Sequence, residues 1–218
     1  MSRDWEPGPP RPALAAREVH LWLADLETGG AIPDGVLSDA EQERRGRMRD
    51  PGGSRWAVSR WALREILGRY VGQSPGAVEL TLGERGKPRL AEPAGLEFNL
   101  SHSGGLAVVA LAALPVGVDV EAVVPRGRDL AALAARALPP AEAAAIAAAE
   151  PDERPALFFA AWTRHEARLK CGGGGFGAPP PSGPVTVAEL ELGADYAGAV
   201  ALAGERPPLV QLYRLDLR

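Results

Sequence analysis

Four short segments hold side chains whose types and spacing could do chemistry. In GVDVE, Gly117 to Glu121, the carboxylates of Asp119 and Glu121 stand two residues apart. On a strand that spacing turns both to one face. Two such charges repel unless solvent or a cation lies between them. Mg²⁺ is typically held by one or two carboxylates with waters and substrate phosphates. The pair is therefore either a metal site or the solvated face of an edge strand. In FFAAWTRHEARLK, Phe158 to Lys170, Glu166 and Lys170 are i,i+4 and would share a helix face. They form either a surface ion pair, or a carboxylate that binds metal or takes a proton beside a cation that steadies phosphate. In FNLSHSGG, Phe98 to Gly105, hydroxyls, backbone N–H groups and an imidazole could make an anion-binding turn, or a plain polar turn after a strand. A Ser–His nucleophilic pair is a poor alternative, because adjacent residues do not face each other and no G-x-S-x-G elbow occurs. Finally, eight arginines lie between Arg44 and Arg69, opposed after Glu43 only by Asp50 and Glu65. They read as solvated helix faces or as a patch for an anionic partner.

These groups must be positioned by ordinary elements. Residues 1–16, richest in Pro and Gly from Met1 to Pro12, are expected to lack order. Val19 to Leu26 alternates like a strand. Ser38, with Glu41 three residues on, predicts a capping box and a first helix. After DPGG, Ser54 is expected to cap a second helix through about Tyr70. Pro75 to Leu82 moves into a strand, GERGKPRL is a turn, and Leu96–Leu100 and Leu106–Ala113 are strands. Val116 to Val123 starts a second unit, followed by helices over Asp129–Arg136, Pro140–Ala149 and Pro155–Cys171. Three strand-like runs end the chain: VTVAELEL, AGAVALAG and LVQLYRLDL. Strand, helices, then strands occurs twice, which predicts an α+β fold of two similar halves, residues 17–114 and 115–218.

Composition bounds the function. Of 218 residues, 46% are hydrophobic and 24% charged, enough apolar material for a core and too much for a disordered chain. A net charge of −4 argues against a general nucleic-acid binder. The single cysteine, Cys171, allows no internal disulfide and no cysteine-based zinc site, and suits a reducing compartment. It reads as an incidental free thiol, while His20 in an apolar strand reads as structural. The start of the chain lacks a signal-peptide pattern, and the longest uncharged run, Leu106 to Val118, is too short to span a bilayer. A cytoplasmic protein with no membrane partner is expected.

Taken together, GKP at Gly86–Pro88, FNLSHS at Phe98–Ser103, GVDVE at Gly117–Glu121 and WTRHEARLKCGGG from Trp162 resemble the surfactin-type (Sfp-like) family of 4′-phosphopantetheinyl transferases in order and spacing. The resemblance covers about Val19 to Gly177. It implies a pseudo-dimer of two α+β halves with the active site between them, in a monomer with internal pseudo-two-fold symmetry. It implies transfer of phosphopantetheine from coenzyme A to a serine of an apo acyl or peptidyl carrier protein, releasing adenosine 3′,5′-bisphosphate. By that resemblance Asp119, Glu121 and Glu166 hold Mg²⁺, or Mn²⁺ in its place. Glu166 or a metal-bound water takes the serine proton, and Lys170 contacts phosphate. Ser101 and His102 bind at or near the ribose 3′-phosphate, and Lys87 and Arg55 hold the nucleotide end.

One departure is His165, where the family usually has Lys. At about 100° per residue it points away from the Glu166–Lys170 face, so it is expected to modulate activity rather than abolish it. It motivates an alternative, a carrier-binding module of the same fold with weak or lost turnover. A helical nucleic-acid binder built on the arginines would leave the carboxylates and FNLSHS unexplained.

Overall fold

The computed structural model describes residues 5–27, 30–83, 86–92, 95–124, 129–174 and 181–217. Along the chain run β1 (Glu6–Pro7), β2 (Glu18–Asp25), α1 (Asp39–Gly46), α2 (Gly52–Val71), β3 (Leu80–Leu82), β4 (Pro88–Leu90), β5 (Glu97–Ser103), β6 (Leu106–Ala112) and β7 (Val116–Ala122). Then come α3 (Leu130–Ala137), α4 (Pro140–Ala148), α5 (Arg154–Cys171), β8 (Val185–Glu189), β9 (Tyr196–Ala203) and β10 (Leu209–Leu215). The class is α+β, as expected.

Among the described residues the strands form three sheets, ordered β1-β10-β2-β6-β5, β3-β4 and β7-β9-β8. The core of the first, β2-β6-β5, has the connectivity of the third: a strand, helices, then two antiparallel strands of which the second inserts beside the first strand. One strand crosses the expected division at residue 115. β10 returns to the first sheet and runs parallel to β2, Leu212 opposite Leu21.

The side-chain period of two explains the layers. Trp22 and Ala24 of β2 join Ala107, Val109 and Leu111 of β6 under α2, whose Leu63, Ile66 and Leu67 are buried there. Val19 and Leu21, with Val108 and Ala110, face the other way and meet Val116, Val118, Val120 and Val200 of the third sheet. The first sheet is thus covered on both faces, which is why β6 reads as one continuous apolar run. Each fully buried Leu, Ile or Val contributes about 1.5–3 kcal/mol relative to exposure.

Several boundaries differ from the sequence reading. The capping box at Ser38 forms, with Ser38 N–H donating to Glu41 Oε2 at 3.0 Å and Glu41 N–H to Ser38 Oγ at 3.3 Å. α2, however, starts at Gly52, and Ser54 lies inside its first turn. Asp50 takes the capping role, because its carboxylate is the stronger acceptor: Oδ1 accepts from Ser54 N–H (3.0 Å) and Ser54 Oγ (2.7 Å). Pro75–Ala77 is a 3₁₀ turn, leaving only Leu80–Leu82 extended. The expected turn GERGKPRL ends in a strand, with Pro88–Leu90 paired to β3. Order in the N-terminal segment is visible from Trp5. Gly8 N–H bonds Arg214 O and Arg69 Nη1 donates to Gly8 O, so Glu6–Pro7 holds as an edge strand where disorder was expected. Residues 1–4 lie outside the described set.

Candidate active site

The site is built on Gly117, Asp119 and Glu121, alternate residues of β7. Gly117 is where α5 sits. A Cβ there would lie 2.2 Å from Ala167 O, 2.3 Å from Cys171 N and 2.9 Å from Lys170 C, all helix backbone. That close approach sets Glu166 and Lys170 against the strand carboxylates. Lys170 Nζ stands 2.6 Å from Asp119 Oδ1, and both groups are largely shielded from water. Asp119 Oδ2 and Glu166 Oε1 are buried with no hydrogen-bond partner. Burial raises the pKa of Asp119, with Lys170 and Ser101 opposing. Burial also raises that of Glu166, and the negative charge of Asp119 adds to the shift, as does Glu121. Asp119, Glu121 and Glu166 are thus close enough to repel, and Lys170 offsets that repulsion only in part. Among the described residues, no three His, Cys, Asp or Glu side chains are drawn into metal-holding geometry. Asp119 and Glu166 nevertheless offer two unsatisfied oxygens, the hard donors a divalent cation takes.

FNLSHS does something the sequence reading missed. It was expected to end a strand and turn; instead β5 runs through Ser103, and only Gly104–Gly105 form the turn, with Gly104 at φ +56°. The side chains of Asn99, Ser101 and Ser103 share one side of the strand and meet the edge of β7 that β9 leaves unpaired. Asn99 Oδ1 accepts from Val118 N–H (2.9 Å), Ser101 Oγ from Val120 N–H (3.3 Å) and Ser103 Oγ from Ala122 N–H (3.1 Å). Side chains thereby satisfy backbone donors that a neighbouring strand would otherwise pair. The N-x-S-x-S spacing, period two, was the available signal.

The family signal agrees with this geometry. The 4′-phosphopantetheinyl transferase superfamily pattern matches residues 115–213, which hold β7 and α5. The chain is 37% identical over 183 residues to the 4′-phosphopantetheinyl transferase HetI of Nostoc sp. (strain PCC 7120), covering 80% of this chain and 77% of that one. This chain belongs to the 4′-phosphopantetheinyl transferase superfamily. It is also 35% identical to AcpT of Salmonella typhimurium over 72% of this chain and 74% of the relative. With Sfp of Bacillus subtilis (strain 168) it shares 26% over 54% of this chain and 51% of that relative, so the likeness to surfactin-type enzymes is the weaker one.

The transferase places its four other expected site residues in four different settings. Ser101 is at the centre: Oγ lies 2.9 Å from Asp119 Oδ1 and 3.2 Å from Lys170 Nζ. His102, one residue on, points to the opposite side of β5 and is exposed. Loss of water around the ring and the cations Lys170, Arg60 and Arg44 all act to lower its pKa, so its direction is set by burial and charge alike. Arg44 and Arg60, together with Trp56, line a cleft of about 790 Å³. Lys87 faces away from that cleft. Its Nζ donates to Val116 O (2.9 Å) and Lys170 O (3.3 Å), and burial lowers its pKa. Arg55 pairs with Glu27, and its Nε is buried without a partner.

The arginine island of the transferase is less open than its sequence suggested. Glu41 accepts from Arg60 Nε (2.6 Å) and Arg64 Nε (2.8 Å), Arg45 pairs with Asp50, and Arg69 pairs with Glu65. Arg44 lies over the Trp56 ring, 5.0 Å from its centroid. Burial pushes the Cys171 thiol up despite Lys87, and its Sγ donates to Pro115 O at 3.1 Å, so it stays protonated and bound to the fold. His20 is buried between Tyr70 OH (2.7 Å) and Glu18 (3.2 Å), a packing role. His165 is half-buried on α5.

Proposed function

We propose that this transferase is surfactin-type in specificity and Mg²⁺-dependent, moving phosphopantetheine from coenzyme A to the serine of an apo acyl or peptidyl carrier protein. The pair of buried, unpartnered oxygens on Asp119 and Glu166 carries this reading. Those atoms come from two elements, repel each other, and suit a hard divalent cation, Mg²⁺ or Mn²⁺, that Glu121 would also help hold. Such a cation supplies charge neutralisation to the coenzyme A pyrophosphate when bound. The serine hydroxyl then forms the new P–O bond to phosphopantetheine while the P–O bond to adenosine 3′,5′-bisphosphate breaks.

Glu166 is the residue suited to take the serine proton, since burial and its acidic neighbours raise its proton affinity. Lys170 holds Asp119 and is within reach of phosphate oxygens brought to the same place. His102, with Arg44 and Arg60 behind it, suits the phosphorylated nucleotide end, and Ser101 borders both regions. For Lys87 and Arg55 the same role requires release from Val116 and Lys170 carbonyls and from Glu27 respectively. In this reading the active site lies between halves 17–114 and 115–218, related by a pseudo-two-fold in a cytoplasmic monomer. The repeated strand connectivity supports it, with β10 as the strand that crosses back.

The test mixes the protein with coenzyme A, Mg²⁺ and several apo carriers and weighs each carrier. A phosphopantetheine adduct that EDTA or Glu166→Ala removes is the expected result. Carrier binding with no adduct on any of them would instead favour the non-catalytic module.

A further inference from the structure

We infer that Ser103 is a positioning residue that aims the Glu121 carboxylate, an inference that rests on the metal reading above. A serine hydroxyl has one hydrogen to give and two lone pairs to receive. Ser103 Oγ receives the Ala122 N–H at 3.1 Å and lies 2.8 Å from Glu121 Oε2. Because the amide can only donate and the carboxylate can only accept, the single hydroxyl proton goes to Glu121. Ser101 repeats the device one pleat earlier. It receives Val120 N–H and Lys170 Nζ and gives its proton to Asp119 Oδ1 at 2.9 Å. Each serine thus grips the residue after a carboxylate and the carboxylate itself, which leaves that side chain little rotational freedom.

Asn99, the third member of the ladder, differs in the one respect that matters. It receives Val118 N–H at 2.9 Å, and Val118 is not followed back by an acidic residue, since position 117 is Gly. Asn99 therefore joins the two strands without aiming a ligand. Hydrogen-bond partners of metal-binding side chains typically change metal affinity about 10–100-fold when removed. The same ladder contains a control for the purely structural part of the effect.

The experiment titrates Mn²⁺ into the full-length protein with coenzyme A present and reads free Mn²⁺ by electron paramagnetic resonance. Melting temperatures are recorded beside it. Ser103→Ala is expected to weaken Mn²⁺ binding about tenfold or more. Ser103→Thr, which keeps the hydroxyl, is expected to restore it to near the wild-type value. Asn99→Ala is expected to lower the melting temperature and leave Mn²⁺ binding near wild type. Should the alanine variant not fold, Ser103→Cys, similar in shape but a weak donor, carries the same expectation. Wild-type binding that Ser103→Ala leaves unchanged, or that Asn99→Ala weakens equally, overturns the inference alone. No Mn²⁺ binding by the wild type overturns the metal reading and this inference with it.

Discussion

Gly117→Ala should disable the enzyme without adding or removing a functional group. The added Cβ would sit 2.2 Å from Ala167 O and 2.3 Å from Cys171 N, where real contacts stay at 3.0 Å or more. Relief therefore takes 0.8 Å at the carbonyl, and both obstructing atoms are backbone, so no rotamer change provides it. α5 must lift off β7, carrying Glu166 and Lys170 away from Asp119. A Lys170–Asp119 contact of 2.6 Å lengthened by that amount leaves the ordinary hydrogen-bond range. Misplacement near 1 Å costs about 100-fold in rate, and overpacking costs about 1–3 kcal/mol. At about 2–4 °C per kcal/mol for a chain of this size, the melting temperature should fall by roughly 2–12 °C. The assay is carrier mass against time for the rate, with circular dichroism for the melt. Gly198→Ala is the control, because its only contact under 3.0 Å is Leu192 Cδ1 at 2.7 Å, the end of a side chain that can turn aside. If Gly117→Ala kept more than about a third of wild-type activity, the claim that the Gly117 seat sets the catalytic geometry would be refuted.

Three further outcomes follow from the same geometry. Glu166→Gln should abolish transfer yet stabilise the metal-free protein, by about 1–3 kcal/mol in urea unfolding, because it removes a buried charge with an unpartnered oxygen. Its pKa is raised in the fold, so the wild-type penalty is full above that raised pKa and fades as pH falls through it to the unfolded value; the variant's advantage should shrink on acidification and not on alkalinisation. Glu41→Ala should cost about 3–5 kcal/mol in the same assay, since it strips Arg60 and the buried Arg64 of their shared carboxylate. Burial opposes ionisation of Glu41, but Ser38 and the two arginines hold its pKa below the usual value, so its contribution should be present above the ordinary glutamate range and lost as pH falls through the lowered pKa. His165→Lys should change the carrier-modification rate by less than about tenfold, a half-buried charge off the catalytic face being worth about 1 kcal/mol or less; a change of several hundredfold would put position 165 in the catalytic machinery.

What was legible in the sequence was whatever local period and local chemistry decide. The spacing of Asp119 and Glu121 needed only a strand to put them on one face, and Glu166 and Lys170 needed only a helix. The capping box at Ser38 closes within four residues, so it formed as read. Ser54 misled because its competitor, Asp50, lies just outside the helix and accepts more strongly. The ladder of Asn99, Ser101 and Ser103 was beyond local reading for a different reason. Polar residues after an apolar strand ordinarily signal a turn, and they became strand only because β7 presents an unpaired edge 18 or 19 residues away in sequence.

The arginines show the same limit in electrostatics. Counted along the chain they were nearly unopposed, and an anionic partner was the natural explanation. In the fold, Glu41 takes two of them, and Glu27, Asp50, Glu43 and Glu65 take one each, so six of the eight are paired with a carboxylate within the protein. Charge left over for a ligand must then be sought where no carboxylate answers it. Among the described residues Arg44 is in that position, stacked on Trp56 at the cleft wall, and its field reaches His102 of β5. The carboxylate cluster has the opposite deficit: Asp119 and Glu121 both raise the pKa of Glu166, and Lys170 opposes them. On the proposed reading, coenzyme A accompanied by a divalent cation would answer both deficits in one ligand: its metal would go to Asp119 and Glu166, and its remaining phosphate charge would go toward Lys170 and Arg44. Neither a metal alone nor a nucleotide alone would balance the two regions together.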